Sequence, residues 1–374
     1  MKSSIPQILR IRRVCSLATA VLALCTVAKS FAADRTWSAG TGSTDFNSGA
    51  NYSPTGTIIG TDDLFFNTLT NAGLSLTAGL SINSLVVNSG ASGFILGGNP
   101  LTVNNGGITV GNFTTATIDS RISSNGAASQ LTFNVGDGAL LRANGVVTPI
   151  ARSFHKTGTG VLYMGQGMGT NAENFLRTGA SINIDEGTLE VGNSALFQPG
   201  SSFVGTLMVN IGTATSSATL KGGGTFEGVS GKPVVAKTYG SSLSFLEPAG
   251  DGTLTIQNLD VTSGATFKFD LGTDLILGSG TLTGSTLAGG MVLDLTGGVS
   301  NVLYTLFDYN ALSGVDISDF TITSAGYIVD FWDISGGDVK VQFSAVPEPG
   351  YMGLILLLGL AWIIKRRSCA PQVG

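Results

Sequence analysis

The sequence predicts an all-β body, and three observations carry that prediction. Short runs such as LSLTAG (74–79), INSLVVNSG (82–90), LTVNNGG (101–107) and LTFNVGDG (131–138) alternate apolar and polar residues with a period near 2. Each run ends in Gly, Asn or Asp, the residues that make tight turns. No run carries an apolar stripe of helical spacing long enough to bury a face. The 54 glycines follow no collagen period and suit frequent turns, because a positive φ costs glycine little. Short strands at close spacing leave three architectures open: a sandwich, a barrel or a solenoid.

The chain opens on a segment that is not part of this body. MKSSIPQILRIRR is a basic lead, and VCSLATAVLALCTV is an apolar stretch of 14 residues. KSFA then places Ser30 and Ala32 as small residues before a cut between Ala32 and Ala33. This is the pattern of a secretory signal helix over residues 1–32, too short for a comfortable membrane span.

Residues 33–70 read as an N-terminal cap. Trp37, Asn51-Tyr52, Asp62-Asp63 and Phe65-Phe66 resemble the start of bacterial autotransporter-type repeat proteins, with Tyr52 in place of the usual second Trp. A solenoid needs its first open end covered, and bulky aromatics do that. A sugar-binding platform built on Trp37 and Tyr52 is the weaker alternative.

Residues 71–285 carry the repeats. KTGTGVLYMGQGMGTNAENFLRTGASINIDEGTLEVGN runs from Lys156 to Asn193. It resembles the autotransporter-associated β-strand repeat, opening on Lys156-Thr157-Gly158-Thr159-Gly160 and closing on Glu186-Gly187-Thr188-Leu189-Glu190-Val191. A fainter copy lies between Gly250 and Thr273. The resemblance implies a right-handed parallel β-helix (β-solenoid), with inward stacks of Leu, Val, Ile and Phe. Residues 286–345 are more aromatic, and YTLFDY and VKVQFS within them read as strands of a meander that forms a C-terminal β cap.

The tail reads as an address. Tyr351 to Ile364 is an apolar run of 14 residues. As a helix it reaches about 21 Å, against a hydrocarbon core of about 30 Å. Length alone favours a buried helix, but three cations follow at once and can anchor a transmembrane helix on the cytoplasmic side. Pro347-Glu348-Pro349, the apolar helix and Lys365-Arg366-Arg367 together resemble the PEP-CTERM sorting signal, here over residues 346–368. That resemblance implies a Gram-negative, exopolysaccharide-producing cell and processing by an exosortase, a membrane protease. It also implies a membrane-anchored stage followed by release to the cell surface or extracellular matrix.

Composition removes several function classes. Charged residues make up only 11% of the chain, against about 25% in an average globular protein. Between Ala33 and Gly350 there are 11 basic and 24 acidic residues, a net charge of −13. Nucleic acid, whose phosphates need a basic face, is not an expected partner. Cys15, Cys25 and Cys369 all lie in the terminal segments, so the body has no disulfide framework or thiolate nucleophile.

No motif demands a reaction. His155 is the only histidine, and no Cys, second His or evident base partner accompanies it, so it reads as a surface residue. The acid pairs in GTDD (60–63) and NIDEG (183–187) read as solvated turn acids. LKGGGTFEG (220–228) lacks the Gly-Lys-Ser/Thr of a phosphate loop. The expectation is therefore no catalytic, cofactor-binding or metal-ligating residue and no enzymatic activity. The chain reads as an exported cell-surface or exopolysaccharide-associated structural protein. The alternative is a carbohydrate-binding or polysaccharide-active β-helix, recognisable by a groove of clustered acids, bases and aromatics on one face. An autotransporter would instead end in strands of a membrane barrel.

Overall fold

The computed structural model describes residues 32–345, apart from 39–42, 69–72, 125–129, 149–152, 169–180, 200–202, 249–251 and 325–326. The signal segment before Ala32 lies outside the described residues. So does the tail with Pro347, Glu348, Pro349, Lys365, Arg366 and Arg367. The described residues form an all-β parallel solenoid of about 10 turns, with 3% helix. None of their helices is long and apolar enough to cross a membrane.

The central coils each contribute three short strands. Ser153–Thr157, Val161–Met164 and Gly167–Met168 make one coil, and Ser181–Ile184, Gly187–Val191 and Leu196–Phe197 make the next. Each strand of the first pairs in parallel with its equivalent in the second: Lys156 with Ile184, Leu162 with Leu189, Met168 with Phe197. A two-residue period sends alternate side chains inward, and the parallel register stacks like on like. Phe94, Ala116, Leu141, Leu162, Leu189, Leu220, Leu246, Phe267 and Leu293 form one such inner row across nine coils. All nine are fully buried, and burial of each large side chain contributes about 1.5–3 kcal/mol. On another face Phe197 stacks on Phe226, with centroids 4.3 Å apart and planes at 11°.

The two ends close differently. At the first, Asp34–Trp37 pairs in parallel with Asp63–Phe66 and antiparallel with Tyr52–Ser53. Trp37 packs edge-on to Tyr52 at 5.1 Å and stacks on Phe66 at 5.3 Å, while Phe46 stacks on Phe66 at 5.6 Å. All four rings are buried. Trp37 and Tyr52 therefore act in packing and offer no platform to a sugar. At the far end the pairing turns antiparallel: Leu303–Ser313 pairs with Asp338–Ala345, which pairs with Tyr327–Ser335. Trp332 stacks on Phe320 at 4.8 Å, and Ile328 and Phe331 remain exposed.

Candidate functional site

The Lys-Thr-Gly-Thr-Gly motif builds a clamp between coils. Lys156 lies on an inward position of Ser153–Thr157 and is fully buried. Its ammonium donates to Thr157 O at 2.9 Å, Gly158 O at 2.6 Å and, from the next coil, Glu186 O at 3.0 Å. All three of its donors are thereby used. Burial pulls its pKa down from the ordinary value to about 8, against the opposing pull of Glu186 and Asp185. Gly158 and Gly187 sit at φ +73° and +72° with their backbones in close approach. The motif residues thus serve the scaffold.

The outward side of the same face carries a polar row. Thr132, His155, Asn183, Asn210, Lys237 and Asp260 occupy one register position on successive coils. The Asn210 amide donates to Asn183 Oδ1 at 2.7 Å. His155 Nδ1 lies 2.6 Å from Asp185 Oδ2, and its Nε2 lies 3.0 Å from Ser153 Oγ and 3.1 Å from Asn183 Nδ2. The His155 and Asp185 side chains are 25% and 30% exposed. This corrects the reading of His155 as a residue without a partner. Ser153 is two places back on its own strand, and Asp185 arrives from the following coil, 30 residues away. The spacing Ser-x-His was visible in the sequence. The approach of Asp185 required the coil register.

The paired acids also have partners. Asp62 is completely buried and accepts from Arg35 Nε at 2.5 Å and from the backbone amides of Ile59 and Ala33, each at 3.0 Å. Arg35 also donates from Nη1 to Pro54 O at 2.8 Å and from Nη2 to Thr57 O at 3.1 Å. Asp63 accepts from Asn83 at 2.7 Å and from the Ser84 hydroxyl. These acids hold local structure and are not simply solvated.

A second outward row runs along the face that contains Val161–Met164. Arg142, Tyr163, Glu190, Lys221 and Glu247 succeed one another in register, and Lys268 and Asp294 pair further along the same face. Arg142 lies over the Tyr163 ring at 5.3 Å, and Lys268 lies over the Phe245 ring at 5.8 Å. Lys221 Nζ meets Glu247 Oε1 at 2.8 Å, which raises the Lys221 pKa. Around Lys221, Glu247, Lys268, Asp270, Asp274 and Asp294 the face forms a groove of about 370 Å³. Burial raises the pKa of Asp274, partly offset by the hydrogen bond from the Asp270 amide at 2.8 Å. Half-exposed ion pairs of this type contribute about 0–1 kcal/mol each, so the row does little for stability. Its mixed acids, bases and aromatics offer hydrogen bonds and ring faces to a polar ligand. Among the described residues, no three His, Cys, Asp or Glu side chains gather as a metal site.

Of the residues expected at the signal cut, Ala32 is exposed. The Ala33 amide donates to the buried Asp62 Oδ1, and its carbonyl accepts from the Asp63 amide at 3.0 Å. Comparison with protein-family models, curated proteins and solved structures returns no match for the chain.

Proposed function

We propose that the chain is an exported structural solenoid of a Gram-negative cell envelope, held at the membrane by its tail and then released to the surface or its exopolysaccharide matrix. In this reading residues 1–32 form a signal helix that is removed, and Tyr351 to Ile364 form a transmembrane helix. An exosortase processes the chain near Pro347-Glu348-Pro349. The coil is right-handed, the hand that parallel crossovers take. The observation that best supports export lies at Ala33. A cut between Ala32 and Ala33 turns the Ala33 nitrogen into an ammonium 3.0 Å from the fully buried Asp62 carboxylate. A charged donor on a carboxylate makes a stronger hydrogen bond than an amide, so the cut places its new charge on a carboxylate that Arg35 already shares.

The test is a substitution of the tail. Replacing Pro347, Glu348 and Pro349 together with alanine, in a host that has an exosortase, should leave the full-length protein in the membrane fraction. The unaltered chain should appear shortened and outside that fraction. Identical fractionation and identical C-termini for the two would overturn the sorting assignment.

A second reading, a carbohydrate-binding β-helix, is favoured by the row from Arg142 to Asp294 and its groove. Acids and lysines lining the groove, with the cation-covered rings of Tyr163 and Phe245 on the same face, suit a hydroxyl-rich polymer laid along the coils. The two readings are compatible, since a matrix protein gains from contact with the matrix polymer.

A further inference from the structure

We propose that Ser153, His155, Asp185 and Asn183 form a hydrolytic site for small O-acyl esters, an activity that goes beyond the structural role. An ionised carboxylate only accepts, so Asp185 Oδ2, 2.6 Å away, fixes the proton of the neutral imidazole on Nδ1. Nε2 is then left with one lone pair, shared between the Ser153 hydroxyl at 3.0 Å and the Asn183 amide at 3.1 Å. A nucleophile is in reach of a base, and that base is oriented by a third group.

Asn183 supplies the remaining part. Its Nδ2 lies 3.1 Å from His155 Nε2 and 2.9 Å from Ser181 Oγ. When Nε2 takes the serine proton it can no longer accept from Asn183. The amide N–H is then free to turn towards the attacked carbonyl oxygen as negative charge develops there, where such a donor is most effective.

The steps balance with water as the only co-reactant. Ser153 Oγ bonds to the ester carbonyl carbon while its proton passes to Nε2. The carbon–oxygen bond to the alcohol breaks, and the alcohol leaves with that proton. Water then attacks the acyl-serine, gives a proton to Nε2, and the acid departs as Ser153 is reprotonated.

The surroundings define the substrate class. The row neighbours of Ser153 are Gln130 and Ser181, so the hydroxyl is flanked by polar side chains on both sides. The outward row beyond His155 continues through Asn183 and Asn210. These polar neighbours suit a short acyl group, such as acetyl, carried on the hydroxyl of a polymer that lies along the coils, better than a fatty acyl chain.

The experiment uses the full chain in detergent, with a fluorophosphonate probe and with p-nitrophenyl acetate and octanoate as substrates. Ser153 should be the labelled residue by peptide mapping, and acetate should be cleaved in preference to octanoate. Ser153→Ala should abolish labelling. His155→Ala should lower acetate hydrolysis by about 10²–10⁴-fold, and Asn183→Ala by about 10²–10³-fold. Asp185→Asn preserves shape while removing the carboxylate, so it should lower the rate with an unchanged β-type circular-dichroism spectrum. Absence of Ser153 labelling in protein with that spectrum overturns the proposal. So does full acetate hydrolysis by Ser153→Ala, or faster cleavage of octanoate.

Discussion

Lys156→Ala is expected to destabilise the body by about 4 kcal/mol, read as a lower urea midpoint at an unchanged slope. The side chain is fully buried and holds three backbone carbonyls from two coils. Its removal orphans those acceptors, at about 1–3 kcal/mol each before relaxation, and leaves a void. Partial rearrangement and water entry bring the total below the simple sum. Lys156→Met fills most of the void but restores no donor, so it should recover only a minor part of the loss.

The same residue gives a pH signature. Its folded-state pKa lies near 8, below the ordinary 10.5, chiefly through burial. Between these values the unfolded chain binds the extra proton, so this group makes stability rise with pH through the window. Below about pH 8 both states are protonated and that contribution is absent. The difference in stability between the unaltered chain and Lys156→Met should therefore widen as pH is raised from 8 towards 10.5. A difference that stays flat would show that burial does not lower the pKa of Lys156 in the folded chain.

Gly187→Ala should cost about 3–4 kcal/mol. At φ +72° a side chain is strained, and its Cβ would stand 2.4 Å from Gly158 O and 2.7 Å from Gly160 O. These are backbone atoms of the preceding coil, which cannot turn aside as a flexible side chain can. The two coils would have to separate where Lys156 joins them. Gly205 provides the control: its φ is +100°, but no atom of the described residues lies within 4 Å of the added Cβ. Gly205→Ala should show only the conformational cost, about 1–2 kcal/mol. Equal losses at the two positions, by chemical denaturation, would show that backbone contact between coils is not the cause.

The β architecture was legible because its signal is local. A two-residue period, with a turn residue after each run, fixes which side chains face inward, as in Ser181–Ile184 and Leu207–Ile211, where alternate residues are buried. The Lys156-Thr157-Gly158-Thr159-Gly160 run lies at the clamp, though only the folded chain shows Lys156 reaching Gly158 and, on the next coil, Glu186. Contacts between coils were less accessible. His155 read as solitary because Asp185 and Asn183 meet it only once one coil is stacked on the next. The row of Arg142, Tyr163, Glu190, Lys221 and Glu247 was hidden for the same reason. Its members are scattered along the sequence and align only through parallel register.

The central claim is that this solenoid is exported and cut at both ends, and mass spectrometry of its termini in fractionated cells tests it most directly. The account predicts a released species that begins at Ala33 and ends close to Pro347-Glu348-Pro349, beside a membrane-bound species that begins at Ala33 and retains Lys365-Arg366-Arg367. A single species in the cytoplasmic fraction, running intact from Met1 to Gly374, would contradict it.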